Sequence, residues 1–141
     1  MAFLAGLVFF YFATWGISVL IYGVAITPKM RGILAAAICF IAVGLTHFIF
    51  AQKFESAIPQ SWPHKVAANY VSGFAEMLLG AGLLLPRLRA IAAWGLILLL
   101  IIVFPVNISM AQLDPGFRNV FRLFFQPVYI GWVWWYCLRK K

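Results

Sequence analysis

Along the chain, long apolar stretches alternate with short clusters of lysine, arginine and proline. Met1–Pro28 carries no charged residue, and Gly32–Gln52 lies between Arg31 and Lys53. Val66–Pro86 is interrupted only by Glu76, Ala90–Leu113 follows Arg89, and Leu123–Leu138 lies between Arg122 and Arg139. A membrane-crossing helix takes about 17–25 mostly apolar residues. The pattern therefore predicts five transmembrane helices, over residues 3–26, 32–52, 66–85, 89–111 and 119–138. The last stretch is short, and its flanking arginines extend it by snorkelling to the interface. The first stretch has a second reading, as a cleaved signal peptide. The lack of a basic segment before it and its long apolar run argue against that.

Composition agrees with this class. The chain is 65% hydrophobic and 10% charged, whereas about a quarter of an average soluble chain is charged. The 141 residues suggest one domain, 1–141. Charge then sets the expected orientation. Lys29, Arg31, Arg87, Arg89, Arg139, Lys140 and Lys141 fall on one side of the predicted bundle, and Lys53, Lys65, Arg118 and Arg122 on the other. The richer side is expected to be cytoplasmic, with the N-terminus outside and the C-terminus inside. The net charge of +8 reads as topology and contact with the lipid bilayer. The basic residues are dispersed rather than gathered in a soluble basic domain, so no nucleic-acid partner is expected. The two cysteines, Cys39 and Cys137, form no CxxC and read as apolar filler.

The connections are short. "KFESAIPQSWPHK" at 53–65 is expected on the outer side without a regular helix, because of Pro59 and Pro63. "LLLPRLR" at 83–89 predicts a tight inner turn and an antiparallel third and fourth helix. Asp114-Pro115-Gly116 signals an outer turn. Trp132, Trp134, Trp135 and Tyr136 read as an interfacial belt.

Strongly polar side chains within the spans are few: His47, Asn69, Glu76, Asn107 and Gln126. At about 1.5 Å per residue, His47, Asn107 and Gln126 lie roughly 6–10 Å below the outer helix ends, and Glu76 roughly 15 Å. Residues from four helices thus converge on a polar chamber near the outside. An ionised carboxylate in mid-helix costs about 2.5–3.5 kcal/mol to insert, so Glu76 should face the bundle, protonated or paired. Arg122, one turn before Gln126, and His47 are both candidate cations. Asn69, Ser72, Gly73, Glu76 and Gly80 form one small, polar stripe that lets a neighbouring helix approach closely. Glu76 can equally be a structural hydrogen-bonding group, and His47 can point at the interface. No HxxxH or ExxH spacing supports a metal site. Pro105 frees the carbonyl of Ile101 and kinks the fourth helix, and Pro127 does the same for Leu123. Asn107 and Gln126 stand beside these breaks, either to shape a pocket or to cap the kinks.

These stretches resemble the DoxX-like family of small membrane proteins. The resemblance runs from about residue 31 to 136 and rests on the G-x-x-E of Gly73–Glu76, the L-x-x-P-R around Pro86, the F-P-x-N of Phe104–Asn107 and the R-x-x-x-Q-P ending at Pro127. It implies an all-α, polytopic transmembrane bundle: a four-helix core over residues 31–138, with residues 1–26 as an additional N-terminal helix. Some relatives are small subunits of a thiosulfate:quinone oxidoreductase, some act in thiol or oxidative-stress systems, and animal relatives assist receptor assembly.

Three functions follow as expectations. The first is an accessory subunit that binds a lipophilic ligand, with quinone as the candidate cofactor, and works with a redox partner. His47, Glu76, Asn107, Gln126, Asn69 and Arg122 would form its ligand site. The second is an assembly factor whose polar residues are packing glue, docked on another membrane protein or on a second copy. The third is a lipid- or sterol-directed enzyme with Glu76 as acid/base. The expected location is the bacterial inner membrane.

Overall fold

The computed structural model describes every residue except 1, 57, 59–61, 114–115 and 140–141, and describes only the backbone of residues 2, 53, 113, 117–119 and 122. The described residues are helical throughout their regular structure: α1 (Ala2–Tyr22), α2 (Pro28–Ile49), α3 (Ala51–Glu55), α4 (Lys65–Gly82), α5 (Arg89–Leu113) and α6 (Phe117–Val133). Helices α1, α2 and α5 are long and apolar enough to cross a membrane, which marks the chain as a membrane protein. Helix α4 has 18 residues and includes Asn69 and Glu76, and α6 has 17.

The helix ends follow local chemistry more closely than the apolar pattern does. Gly23 adopts φ 66° and donates its N–H to the Val19 carbonyl at 3.0 Å, closing α1 four residues before the expected end. Thr27 then caps α2 by accepting from the Met30 N–H at 3.2 Å, with Pro28 in the first turn. This start signal moves the beginning of α2 to Pro28, ahead of the charged flank at Lys29 and Arg31. Helix α2 breaks at Phe50 and is followed by the one-turn α3. Residues 53–55 are therefore helical, contrary to expectation, because Pro59 and Pro63 lie beyond them in the chain. The Asp114-Pro115 part of the expected outer turn lies outside the described residues. Helix α6 ends in a wider π turn, Trp134–Leu138, closed by the Arg139 N–H on the Trp134 carbonyl at 3.0 Å.

Helices α4 and α5 are antiparallel, as the tight turn predicts. A Cβ on Gly82 would lie 2.9 Å from Ala92, and one on Gly95 would lie 2.7 Å from Leu79. Inside the turn the Arg89 Nε donates to the Leu83 carbonyl at 2.9 Å and so finishes α4. At the same end of the molecule the Trp132 indole donates to the Gly32 carbonyl at 3.0 Å, and the Lys29 ammonium to the Arg139 carbonyl at 3.2 Å. Ile33, Ala36, Phe40, Leu83, Ala93, Leu96 and Val133 fill the interior.

Helix α1 joins this bundle by one half only. Phe3 packs against Phe40 and Tyr129, with ring centroids 5.0 and 4.5 Å apart. Tyr11 meets Trp132 and Tyr136, each at 5.9 Å, and the Arg31 guanidinium lies 4.9 Å over its ring. Residue 3 is thus beside residue 40 and residue 11 beside residue 31, so α1 runs antiparallel to α2 and is slid along it. Its second half continues about 16 Å beyond Arg31 at the helical rise. Phe12, Trp15, Leu20, Ile21 and Tyr22 in that half are exposed. The chain returns along it, with the Ile26 N–H donating to the Ser18 hydroxyl at 3.3 Å.

Candidate functional site

The site is built on a close crossing of α2 and α4. A Cβ added to Gly73 would fall 2.5 Å from His47 Cβ and 2.9 Å from the Gly44 carbonyl oxygen. One added to Gly44 would fall 2.6 Å from the Gly73 carbonyl oxygen. Two turns further, a Cβ on Gly80 would meet the Ala37 carbonyl oxygen at 3.2 Å. The contacts descend on one helix as they rise on the other, so the pair is antiparallel. Lipid tails offer no hydrophobic gain to helices that associate, so small residues that let backbones touch carry the association. This is the neighbour that the small stripe on α4 admits.

The crossing presses His47 onto the polar face of α4. His47, Asn69 and Glu76 are all buried. The Asn69 amide Nδ2 donates to the His47 backbone carbonyl at 3.1 Å. A carbonyl only accepts, so the amide orientation is fixed and Asn69 Oδ1 faces the imidazole. His47 Nδ1 lies 2.7 Å from that oxygen and must carry a hydrogen to donate to it. The Ser72 hydroxyl, 3.5 Å from Nδ1, donates to the Asn69 carbonyl at 2.9 Å and steadies the same turn. With Nδ1 protonated, Nε2 of a neutral His47 is a bare acceptor. Nε2 lies 3.5 Å from Glu76 Oε2. The contact is favourable only when one proton is shared, as carboxylic acid with imidazole or as carboxylate with imidazolium. Asn69 thereby turns the Nε2 side of the ring toward Glu76. The Phe54 ring of α3 stacks on the imidazole at 4.1 Å with planes 21° apart, covering it.

A second polar contact joins α5 to α6. The Asn107 amide donates to Gln126 Oε1 at 2.9 Å, and Gln126 Nε2 donates to the backbone carbonyl of Leu100. Both side chains are buried. Leu100 lies five residues before Pro105, next to the Ile101 carbonyl that the missing proline N–H leaves free. The α5 backbone is thus held from the neighbouring helix: Gln126 donates to it, and Asn107 fixes the orientation of Gln126. Neither amide caps a kink in its own helix in these contacts.

The expected site residues are therefore joined two by two, His47 with Glu76 and Asn107 with Gln126, while Asn69 orients His47. Of the two candidate cations for Glu76, His47 is in contact. The Arg122 side chain lies outside the described residues. Among the described residues no three His, Cys, Asp or Glu side chains gather as metal ligands. The described concavity is an open notch of about 370 Å³ lined by Leu85, Pro86, Arg87 and Leu88, at the end of the bundle away from His47. The apolar pattern gives no hint of Phe54 or the Leu100 carbonyl as participants. Gly44 was findable, because Ala37 and Gly44 repeat on α2 the seven-residue spacing of Gly73 and Gly80 on α4.

Fold and site define a helical membrane protein with a buried histidine–glutamate contact. The chain belongs to a family described as a domain of unknown function (DUF8561), which matches residues 34–137. The match takes in α2 from its second turn through Cys137, and leaves out α1. No curated protein and no solved structure matches the chain.

Proposed function

We propose that the protein is a five-span membrane protein of DoxX-like architecture that acts as an accessory subunit, binding a quinone beside the His47–Glu76 pair and passing it a proton. Helices α2, α4, α5 and α6 form the four-helix core on this reading, and α1 is the additional helix. At the helical rise α4 spans about 27 Å, close to the roughly 30 Å of a bilayer core. The split of lysine and arginine supports an outer N-terminus and a cytoplasmic C-terminus in a bacterial inner membrane.

The observation that carries the reading is the fixed tautomer of His47 facing Glu76. Reducing a quinone to a quinol takes up two electrons and two protons. A redox partner supplies the electrons. The pair supplies one proton at a time and refills from the outer side, as a general acid must. Phe54 covers His47, so on this reading the ligand reaches the pair only where that ring is displaced.

The test is native mass spectrometry with lipid extraction on gently purified protein, wild type beside Glu76→Gln. A quinone that co-purifies with the wild type and is lost from the variant supports the reading. Its absence from both removes it. A second reading has its own support: the interlocked Gly44 and Gly73 and the mutually satisfied Asn107 and Gln126 suit packing glue in an assembly factor. In that case Glu76→Gln lowers the abundance of a co-purifying membrane protein while no small molecule is found.

A further inference from the structure

Among the described residues, the end of the bundle opposite His47 collects cations without acids. Lys29 and Arg31 stand in the first turn of α2, Arg87 and Arg89 in the α4–α5 turn and at the start of α5, and Arg139 after the last turn of α6. The contacts already described bring these elements together: Lys29 reaches the Arg139 carbonyl, and Trp132 reaches Gly32. The Trp134–Leu138 turn packs against both α2 and α5. The chain has three acidic side chains, and neither of the two among the described residues belongs to this end. Glu55 closes α3, Glu76 faces His47, and Asp114 follows α5 in sequence.

Two features turn this cluster from a general basic surface into a site. Arg31 lies over the Tyr11 ring, and its Nε is buried with no hydrogen-bond partner among the described residues. A buried guanidinium N–H without an acceptor is costly and calls for an anion. Beside the cluster is the notch of Leu85, Pro86, Arg87 and Leu88, apolar but for its one arginine. Arg89 connects the two, since it closes the turn that forms the notch and begins the helix that packs on the Trp134–Leu138 turn. An anion holder next to an open apolar seat fits an amphipathic ligand with a phosphate.

We propose that this end binds an anionic phospholipid, its phosphate held by Arg31, Arg89 and Lys29 and an acyl chain or glycerol lying in the notch beside Arg87. Basic pockets at helix ends on the positive side of a membrane protein are suited to such headgroups. The proposal rests on the reading that the bundle sits in a bilayer, and is independent of any quinone at Glu76.

The experiment is native mass spectrometry of the full chain in detergent micelles doped with equal amounts of phosphatidylglycerol and phosphatidylcholine. Wild type is expected to retain phosphatidylglycerol at least about tenfold more than phosphatidylcholine. Arg31→Gln should lower that retention about fivefold, which corresponds to ~1 kcal/mol per basic side chain. Arg87→Gln, at an exposed turn residue, tests the same site without disturbing helix packing and should act in the same direction. Lys65→Gln removes equal charge from the opposite end and should leave retention unchanged, as should Glu76→Gln. Equal retention of the two lipids overturns the proposal, and so does an equal loss in Lys65→Gln. Binding of inorganic phosphate as tightly as of phosphatidylglycerol would also overturn it, because the notch would then contribute nothing.

Discussion

Substituting Gly73 by alanine adds one methyl group at the tightest point of the α2–α4 crossing. In an exposed helix interior the change stabilises by roughly 0.8–1.0 kcal/mol, since glycine is the poorer helix former. At Gly73 the new carbon would sit 2.5 Å from His47 Cβ and 2.9 Å from the Gly44 carbonyl oxygen. Neither neighbour is the free end of a side chain. Carbon–carbon contacts are optimal at about 3.5–4.0 Å, so the two backbones must part by about 1 Å. Overpacking of this kind costs about 1–3 kcal/mol. Parting the helices also lengthens the Asn69–His47 bonds that span the crossing, which puts the cost at the upper end. The expected net loss is about 2 kcal/mol, by reversible unfolding in mixed micelles with rising dodecyl sulfate. Gly131→Ala and Gly16→Ala are the controls, because a Cβ there meets nothing within 4 Å. They should be neutral or stabilise by up to about 1 kcal/mol. Equal stability of Gly73→Ala and Gly131→Ala, within about 0.5 kcal/mol, would refute a backbone-close crossing.

Three further outcomes follow from the polar contacts. His47→Ala and Glu76→Ala should each destabilise by about 3–5 kcal/mol if the survivor keeps a charge, and a double-mutant cycle should return a coupling of at least about 1 kcal/mol. Additive effects in the same unfolding assay would deny that the pair shares a proton. Gln126→Ala leaves the Leu100 carbonyl and the Asn107 amide without their partner, at about 1–3 kcal/mol, and Asn107→Ala in that background should cost almost nothing more. Phe54→Ala should speed modification of His47 by diethyl pyrocarbonate several-fold by peptide mapping, with exposed His64 as the internal reference. An unchanged rate would show that the stacked ring does not limit access.

Much of the helical architecture was legible in runs of uncharged residues, because a membrane penalises charge along a whole span. What the runs could not fix were the ends. Tyr22 and Pro28 bound their helices through a positive-φ glycine and a Thr-Pro start, local signals that an apolar average passes over. The sequence placed His47, Glu76, Asn107 and Gln126 at similar depth, and depth is only one coordinate. Which of them touch depends on rotation about each helix axis. That rotation is set by the Gly44–Gly73 contact on one side and by the Gln126 contacts with Asn107 and Leu100 on the other. The contact of His47 with Glu76 needed the second helix to meet the small stripe on α4, and Ala37 and Gly44 mark where it does. The link from Gln126 to Leu100 involves a backbone carbonyl, which no side-chain pattern announces.

The slip of α1 along α2 gives the molecule two apolar heights. On the faces formed by α4 and α5 the apolar band matches the length of those helices. On the face carrying α1 it is longer by the exposed half from Phe12 to Tyr22. A bilayer adapts to such mismatch by thickening, or the protein tilts, at fractions of a kcal/mol per ångström. Over about 16 Å of slip, those fractions add to several kcal/mol. A single flat bilayer core therefore cannot cover both the bundle and the second half of α1 while Lys29 and Arg31 stay at headgroup level.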